Sequence, residues 1–399
     1  MTILTPSNLT NIDPEYDIFD LDRLGYYLTT NNQKFRGKLE CILYCASHGV
    51  DFNWVFNDAY YDCLDWSVEP QVSLPVLYAQ RAQQIRDKYD YLILHLSGGN
   101  DSGAILETFL LNDIKLDEVV MYTNKINSNP DPNDRTAKNY FGELALCAMP
   151  NAKIVKEKFT DLKITVCEFS KISIATLSKS NWFESAYSDL EPAGLYRSNW
   201  NQLDPRYQRL TDQGKTVAHI DGLEKPRFVF RDQNLHVIFS DEELVRRNPD
   251  LSNTNRLSLI EHFFWGPSTA RIVCKQAHMI LRHINSLPNS EGMARWLMSA
   301  RGRRWEDWIA AIIYPGRLLP KWDTEKGTHT FVREWASWFH HDHNTDFYIN
   351  WKKGLDYLDQ ILPKKYVRDN SLWNGYRSCF TKPRKIGRVI NTDNSVSQQ

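Results

Sequence analysis

The order of apolar and polar positions divides the chain into short buried runs and longer amphipathic ones. Tyr91–Leu96 is a continuous apolar run too short for a helix and bounded by turn residues, which predicts a buried strand. Glu118–Thr123, Ile164–Phe169 and Thr216–Ile220 have the same character. Between them lie helix-compatible runs at Gly103–Leu111, Arg135–Ala148 and Ile172–Tyr187, and Asn127–Asp134 reads as a turn-rich loop with two prolines. Strands alternating with helices predict an α/β fold with a doubly wound, mostly parallel, Rossmann-like sheet. Ahead of the first strand, Ser73–Arg86 predicts a helix with Pro75 in its first turn, inside a mixed, partly helical region at 1–88. Phe228–Arg231 and His236–Phe239, around Asp232-Gln-Asn, predict a hairpin. The α/β domain is placed at 89–245. From Glu261 onward the pattern turns helical, with a helix at Ala270–Ile284, and predicts a helical C-terminal domain over 260–390.

Composition changes this picture in two places. The C-terminal part holds eight of the thirteen tryptophans, which favours a small helical domain packed with large side chains over a surface for stacking on bases. Net charge is −1, but it is unevenly spread. Residues 271–399 carry 21 Lys+Arg against 12 Asp+Glu, and residues 1–88 carry 7 against 12. A basic C-terminal third suits either a polyanionic partner such as nucleic acid, with Arg301, Arg303, Arg304 and the 382–388 cluster as contacts, or docking on the chain's own acidic N-terminal part. Seven cysteines without a Cys-x-x-Cys argue against a disulfide framework or a zinc ribbon, and Cys41 and Cys45 have the spacing of neighbours on a buried helix face. His340-His-Asp-His343 has ligand residue types but no common zinc spacing. No signal peptide or membrane span is evident, so the expected location is the cytoplasm.

The chemistry concentrates where the first strand of the α/β domain ends. Ser97-Gly98-Gly99-Asn100-Asp101-Ser102 joins the Tyr91–Leu96 strand to the following helix. Glycines there let the backbone approach an anion, successive N–H groups form a nest, and the helix N-terminus adds partial positive charge. Ser97 and Ser102 add hydroxyl donors. Asp101 is a carboxylate beside a phosphate site, which makes sense with a magnesium ion between them. Gly214-Lys-Thr216 imitates the end of a Walker A loop, but the first glycine of that pattern would fall at Arg209, so it is not one.

The Ser97–Ser102 segment resembles the PP-loop of the ATP pyrophosphatase superfamily, Ser-Gly-Gly-x-Asp-Ser, which includes asparagine synthetases, NAD synthetases and tRNA-modifying enzymes. All five fixed positions match. The next position, usually Ser or Thr, is Gly103, so one hydroxyl is missing. The resemblance covers roughly residues 88 to 230, and the overall shape is similar to PP-loop proteins encoded by bacteriophages, for which the compartment would be the host cytoplasm. It implies an enzyme that binds ATP and Mg2+ and cleaves ATP to AMP and pyrophosphate. By resemblance, Tyr122 and Thr123 line the adenine pocket. Asp221, Gly222 and Glu224 stand where asparagine synthetases have a loop that contacts pyrophosphate and metal, which makes Asp101, Asp221 and Glu224 the expected metal ligands. Lys225 is the expected cation on the leaving group, and with Asp101 the expected catalytic pair. Residue 2 is Thr, not the cysteine of a glutaminase domain. The leading expectation is a ligase or transferase that adenylates an acceptor, which an amine or other nucleophile then attacks. Modification of a nucleic-acid base by the same chemistry, and a non-catalytic adenine-nucleotide module, are the alternatives.

Overall fold

The computed structural model describes residues 15–123, 144–168, 174–175, 177–179, 181–185, 205–222, 225–241, 258–299, 303–314, 316–319, 344–370 and 375–390. The N-terminal part builds a three-stranded antiparallel sheet from β1 (Tyr26–Thr29), β2 (Lys34–Phe35) and β3 (Phe52–Val55), in the order β2-β1-β3, with α1 (Lys38–His48) between β2 and β3. Cys41 and Cys45 lie on the buried face of α1, as their spacing predicts. Helix α2 (Leu74–Lys88) follows, with Pro75 in its first turn, where its missing N–H breaks no helical bond.

The central sheet contains β4 (Tyr91–His95), β5 (Glu118–Thr123), β6 (Lys163–Glu168), β7 (Val217–Asp221) and, beyond a hairpin, β10 (Ser258–His262). Its order is β10-β7-β4-β5-β6 and every pairing is parallel. The chain therefore builds outward from β4 through β5 and β6, then returns to the other side of β4 with β7 and β10. The reversal falls between β4 and β7, and ligands of open parallel sheets sit at the carboxyl ends of the strands at such a point.

Helices α3 (Asn100–Leu111), α4 (Met149–Lys158) and α5 (Pro205–Asp212) connect these strands. Leu92, Leu94, Val119, Met121, Ala218 and Ile220 share one buried cluster with Ile105 and Phe109 of α3 and Val155 of α4. Burying each of the leucine, isoleucine, valine, methionine and phenylalanine side chains contributes about 1.5–3 kcal/mol. Ile93, Val120 and Val217, which alternate with them, pack with Tyr207 of α5 on the opposite face. Both faces are thus covered, which explains the near-continuous apolar strands. Leu144–Ala148, the described part of the predicted 135–148 helix, forms a π-helical turn that runs directly into α4, with Pro150 in the first turn of α4; residues 135–143 lie outside the described residues. Of the predicted 172–187 helix, Trp182–Ser185 forms a 3-10 turn.

Strands β8 (Arg227–Arg231) and β9 (Asn234–Ile238) form the expected hairpin, turning on Asp232 and Gln233 with positive φ at both. A strand near the C-terminus, β11 (Arg384–Arg388), pairs with β9. Helices α6 (Ala270–Asn285), α7 (Ser290–Ser299), α8 (Arg303–Ile313) and α9 (Asp346–Ile361) make up the described helical part of the C-terminal third. The buried face of α6 and that of α8 join the same cluster as the central sheet, together with Ile386 of β11. The basic third meets the acidic N-terminal part directly: Lys275 and Arg282 on Glu69, Lys365 on Asp51, Lys382 on Asp62, and Arg384 on Asp58 and Asp62. Among the described residues, no helix is long and apolar enough to cross a membrane.

Candidate functional site

The Ser97–Ser102 loop leaves the carboxyl end of β4 and enters α3, at the point where the strand order reverses. Gly98 takes φ +85, a conformation that suits glycine. Gly99 is the N-cap of α3, and no side chain caps the helix. The first helical bond runs from Gly103 N–H to Gly99 C=O at 3.1 Å, so the N–H groups of Asn100, Asp101 and Ser102 have no intrahelical acceptor. The two serines brace the turn. Their hydroxyls are 3.1 Å apart, Ser97 N–H donates to Ser102 Oγ at 3.2 Å, and Gly99 N–H donates to Ser97 Oγ at 3.3 Å. The result is a short backbone nest at the positive end of a buried helix, a site for an anion.

The neighbouring strand end packs against this loop. Asp221 is the last residue of β7, and a Cβ on Gly222 would stand 3.0 Å from both Asp101 C and Ser102 N. Glycine at 222 is therefore needed for close approach. Lys225 is buried, and its ammonium donates to Asp101 Oδ2 at 2.7 Å. Asp221 lies with its Oδ1 3.2 Å from His262 Nδ1, at the end of β10. The structure thus brings Asp101, Asp221, Gly222 and Lys225 together. Glu224 lies outside the described residues.

Tyr122 and Thr123 end β5, beside β4. The Tyr122 hydroxyl is 2.6 Å from His95 Nδ1. From His95 the contacts continue across the sheet, Nε2 to His219 Nδ1 at 3.0 Å and His219 Nε2 to Ser258 Oγ at 3.1 Å. Burial pushes the His219 pKa down to about 3, against a smaller opposing pull from Asp221, so this imidazole is neutral. The Thr123 hydroxyl is buried at the carboxyl edge of the sheet and has no hydrogen-bond partner among the described residues.

Three further side chains reach the loop from α8 and the segment after it. Asn100 Nδ2 donates to Asp307 Oδ1 at 3.2 Å, Tyr314 donates its hydroxyl to Asp101 Oδ1 at 2.7 Å, and Arg317 donates to Asn100 Oδ1 at 3.0 Å and to Gly99 C=O at 3.3 Å. Burial and the Asp101 charge hold the Tyr314 hydroxyl in its protonated form, with a pKa well above the usual phenol range. Sequence reasoning did not find these residues. They lie more than 200 positions from the loop, and the one local sign is Gly103, where the resemblance calls for a hydroxyl.

Magnesium takes oxygen ligands, commonly one or two carboxylates completed by water and phosphate. Asp101, in the first turn of α3, and Asp221, at the end of β7, supply two carboxylates, so the donor types fit. Both Asp101 oxygens are engaged in this structure, by Lys225 and by Tyr314. Among the described residues, no group of three or more His, Cys, Asp and Glu side chains gathers to hold a metal ion. The His340–His343 cluster and Arg301 lie outside the described residues, and Cys167 is half-buried in β6. No model of a known protein family matches the chain, and no curated protein matches it.

Proposed function

We propose that the protein is an ATP-dependent enzyme that cleaves ATP between the α and β phosphates and adenylates an acceptor, which an amine or other nucleophile then attacks. One observation carries this reading: the Ser-Gly-Gly-Asn-Asp-Ser turn occupies the carboxyl end of β4 at the reversal of strand order, with uncapped N–H groups and a buried lysine beside it. A nest of that kind holds a departing pyrophosphate. Catalysis then consists mainly of orientation and of stabilising charge that builds on the leaving group. The backbone N–H groups of residues 100–102 bind phosphate oxygens. Lys225 stabilises the leaving pyrophosphate, while Asp101 and Tyr314 orient its ammonium. Tyr122 and Thr123 border the adenine. Magnesium, held through Asp101 and Asp221, would supply neutralisation of phosphate charge.

The reading is tested by the products. The full chain is incubated with ATP and Mg2+ in the presence of a pooled amino-acid and amine mixture, and the nucleotides are separated by anion-exchange chromatography. AMP and pyrophosphate in equal amounts are expected. ADP as the main product would overturn the assignment, because γ-phosphoryl transfer uses a different phosphate cradle.

A further inference from the structure

We infer that Arg317 is a phosphate-binding residue of this site and stands in for the hydroxyl that the loop lacks at position 103. The inference rests on the nucleotide-site reading given above. The guanidinium occupies the space a side chain at 103 would need: a Cβ built on Gly103 would lie 1.6 Å from Nη2 and 2.5 Å from Cζ of Arg317. Glycine at 103 and arginine at 317 are therefore one feature. A residue with any side chain at 103 would displace the guanidinium from the loop.

The placement is held from behind. Glu107, one turn further along α3, accepts hydrogen bonds from the backbone N–H groups of Leu318 and Leu319. Gly316, on the other side, has φ +72 and turns the chain toward the loop. Arg317 is thus fixed on the first turn of α3, where it donates to Gly99 C=O and Asn100 Oδ1. Its Nε is buried and, among the described residues, has no acceptor. Taken alone, this is a poor place for a cation. The N-terminal end of a helix is itself positive, and guanidinium donors are usually fully used when water is excluded. Burial accordingly works against the charged form of Arg317, with Glu107 and then Asp101 opposing that effect. A phosphate on the uncapped N–H groups of residues 100–102 removes the conflict, because it offers acceptors to a planar fork and negative charge to both the helix end and the guanidinium. The ligand class is the pyrophosphate unit of a nucleoside triphosphate.

Inorganic pyrophosphate is the probe, titrated calorimetrically into the full chain, alongside ATP. Arg317→Gln removes the charge and, with a side chain two bonds shorter, the Nη2 donor to Gly99 C=O, while keeping a polar side chain in the space. Losing a charged hydrogen bond of this kind weakens binding about ten- to a hundredfold, and that loss is expected for both probes with the thermal midpoint little changed. Gly103→Ala should do the same by pushing the guanidinium away without supplying a hydroxyl, and it carries the test if Arg317→Gln does not fold. In the double variant Gly103→Ser with Arg317→Ala, the serine fills the vacated space and supplies a hydroxyl, so pyrophosphate should bind more tightly than to Arg317→Ala alone. Parental pyrophosphate affinity in a folded Arg317→Gln or Gly103→Ala protein would overturn the inference and leave the ATP site standing. A parent chain that binds neither ATP nor pyrophosphate would instead remove the site reading itself.

Discussion

Gly222→Ala is a single-methyl perturbation aimed at the contact between the two strand ends. Gly222 does not have a positive φ, so alanine meets no backbone penalty there. Space is the whole effect. The new Cβ would stand 3.0 Å from Asp101 C, 3.0 Å from Ser102 N and 3.1 Å from Asp101 Cβ. Ordinary carbon contacts are about 3.5–4.0 Å, so the loop or the β7 end must yield by roughly half an ångström. These atoms belong to backbone and to a Cβ, not to the tip of a flexible side chain. Overpacking of this size costs about 1–3 kcal/mol. It displaces the N–H groups of the first turn of α3, which the reading makes the phosphate donors. Their hydrogen bonds to an anion are each worth about 1.5–3 kcal/mol, so ATP affinity should fall at least tenfold. Gly37→Ala is the control, because its Cβ would meet only Glu40 atoms at 3.7 Å, far from the loop. Isothermal titration with ATP, beside urea unfolding of both variants, reads the two effects. Parental ATP affinity in a folded Gly222→Ala protein would refute the claim that this packing positions the phosphate donors.

Three other outcomes follow from the same geometry. Thr123→Val removes a buried hydroxyl without a partner among the described residues, so unfolding in urea should show a gain of about 1 kcal/mol without ligand; an ATP affinity that stays unchanged would take Thr123 out of the adenine pocket. His219 has its pKa lowered on folding, from 6.5 to about 3, so the unfolded chain takes up the proton first as pH falls and stability is lost from about pH 6.5 downward. One proton is worth about 1.4 kcal/mol per pH unit, so between pH 6.5 and 5 His219→Gln should lose about 2 kcal/mol less than the parent; equal slopes would contradict a neutral His219. Lys225→Ala should lower the rate of AMP release more than ATP affinity, if its ammonium acts as charge builds on the leaving group, and a loss confined to affinity would make Lys225 a ground-state contact only.

What could be read from the sequence was local. The loop was legible because its glycines, hydroxyls and carboxylate are contiguous and lie between an apolar run and a helical one. Four of the five sheet strands were legible from apolar runs, and the hairpin from its turn residues. The fifth strand, Ser258–His262, was not. Its Glu261 is buried in ion pairs with Arg23 at 3.3 Å and Arg81 at 2.6 Å, and His262 faces Asp221. Polar residues with partners so distant in sequence look like loop residues until the fold is known. The charge asymmetry had two readings, and the structure supplies ion pairs between the basic and acidic parts. The contribution of Tyr314 and Arg317 to the site was invisible for the same reason as β10. From the sequence, Gly103 showed only that one hydroxyl is missing; that the Arg317 guanidinium fills the space is visible only in the fold.

The proposed ATP site is tested most directly by Gly99→Val. Gly99 has extended backbone angles, φ −77 and ψ −179, which valine also adopts, so the fold should survive. The branched side chain would fill the nest at the start of α3 and exclude phosphate. Calorimetric titration of ATP with Mg2+ into the parent and into Gly99→Val, each shown to be folded by circular dichroism, should give saturable binding to the parent and none to the variant. Equal ATP affinity in the two folded proteins would contradict a nucleotide bound on the Ser97–Ser102 loop.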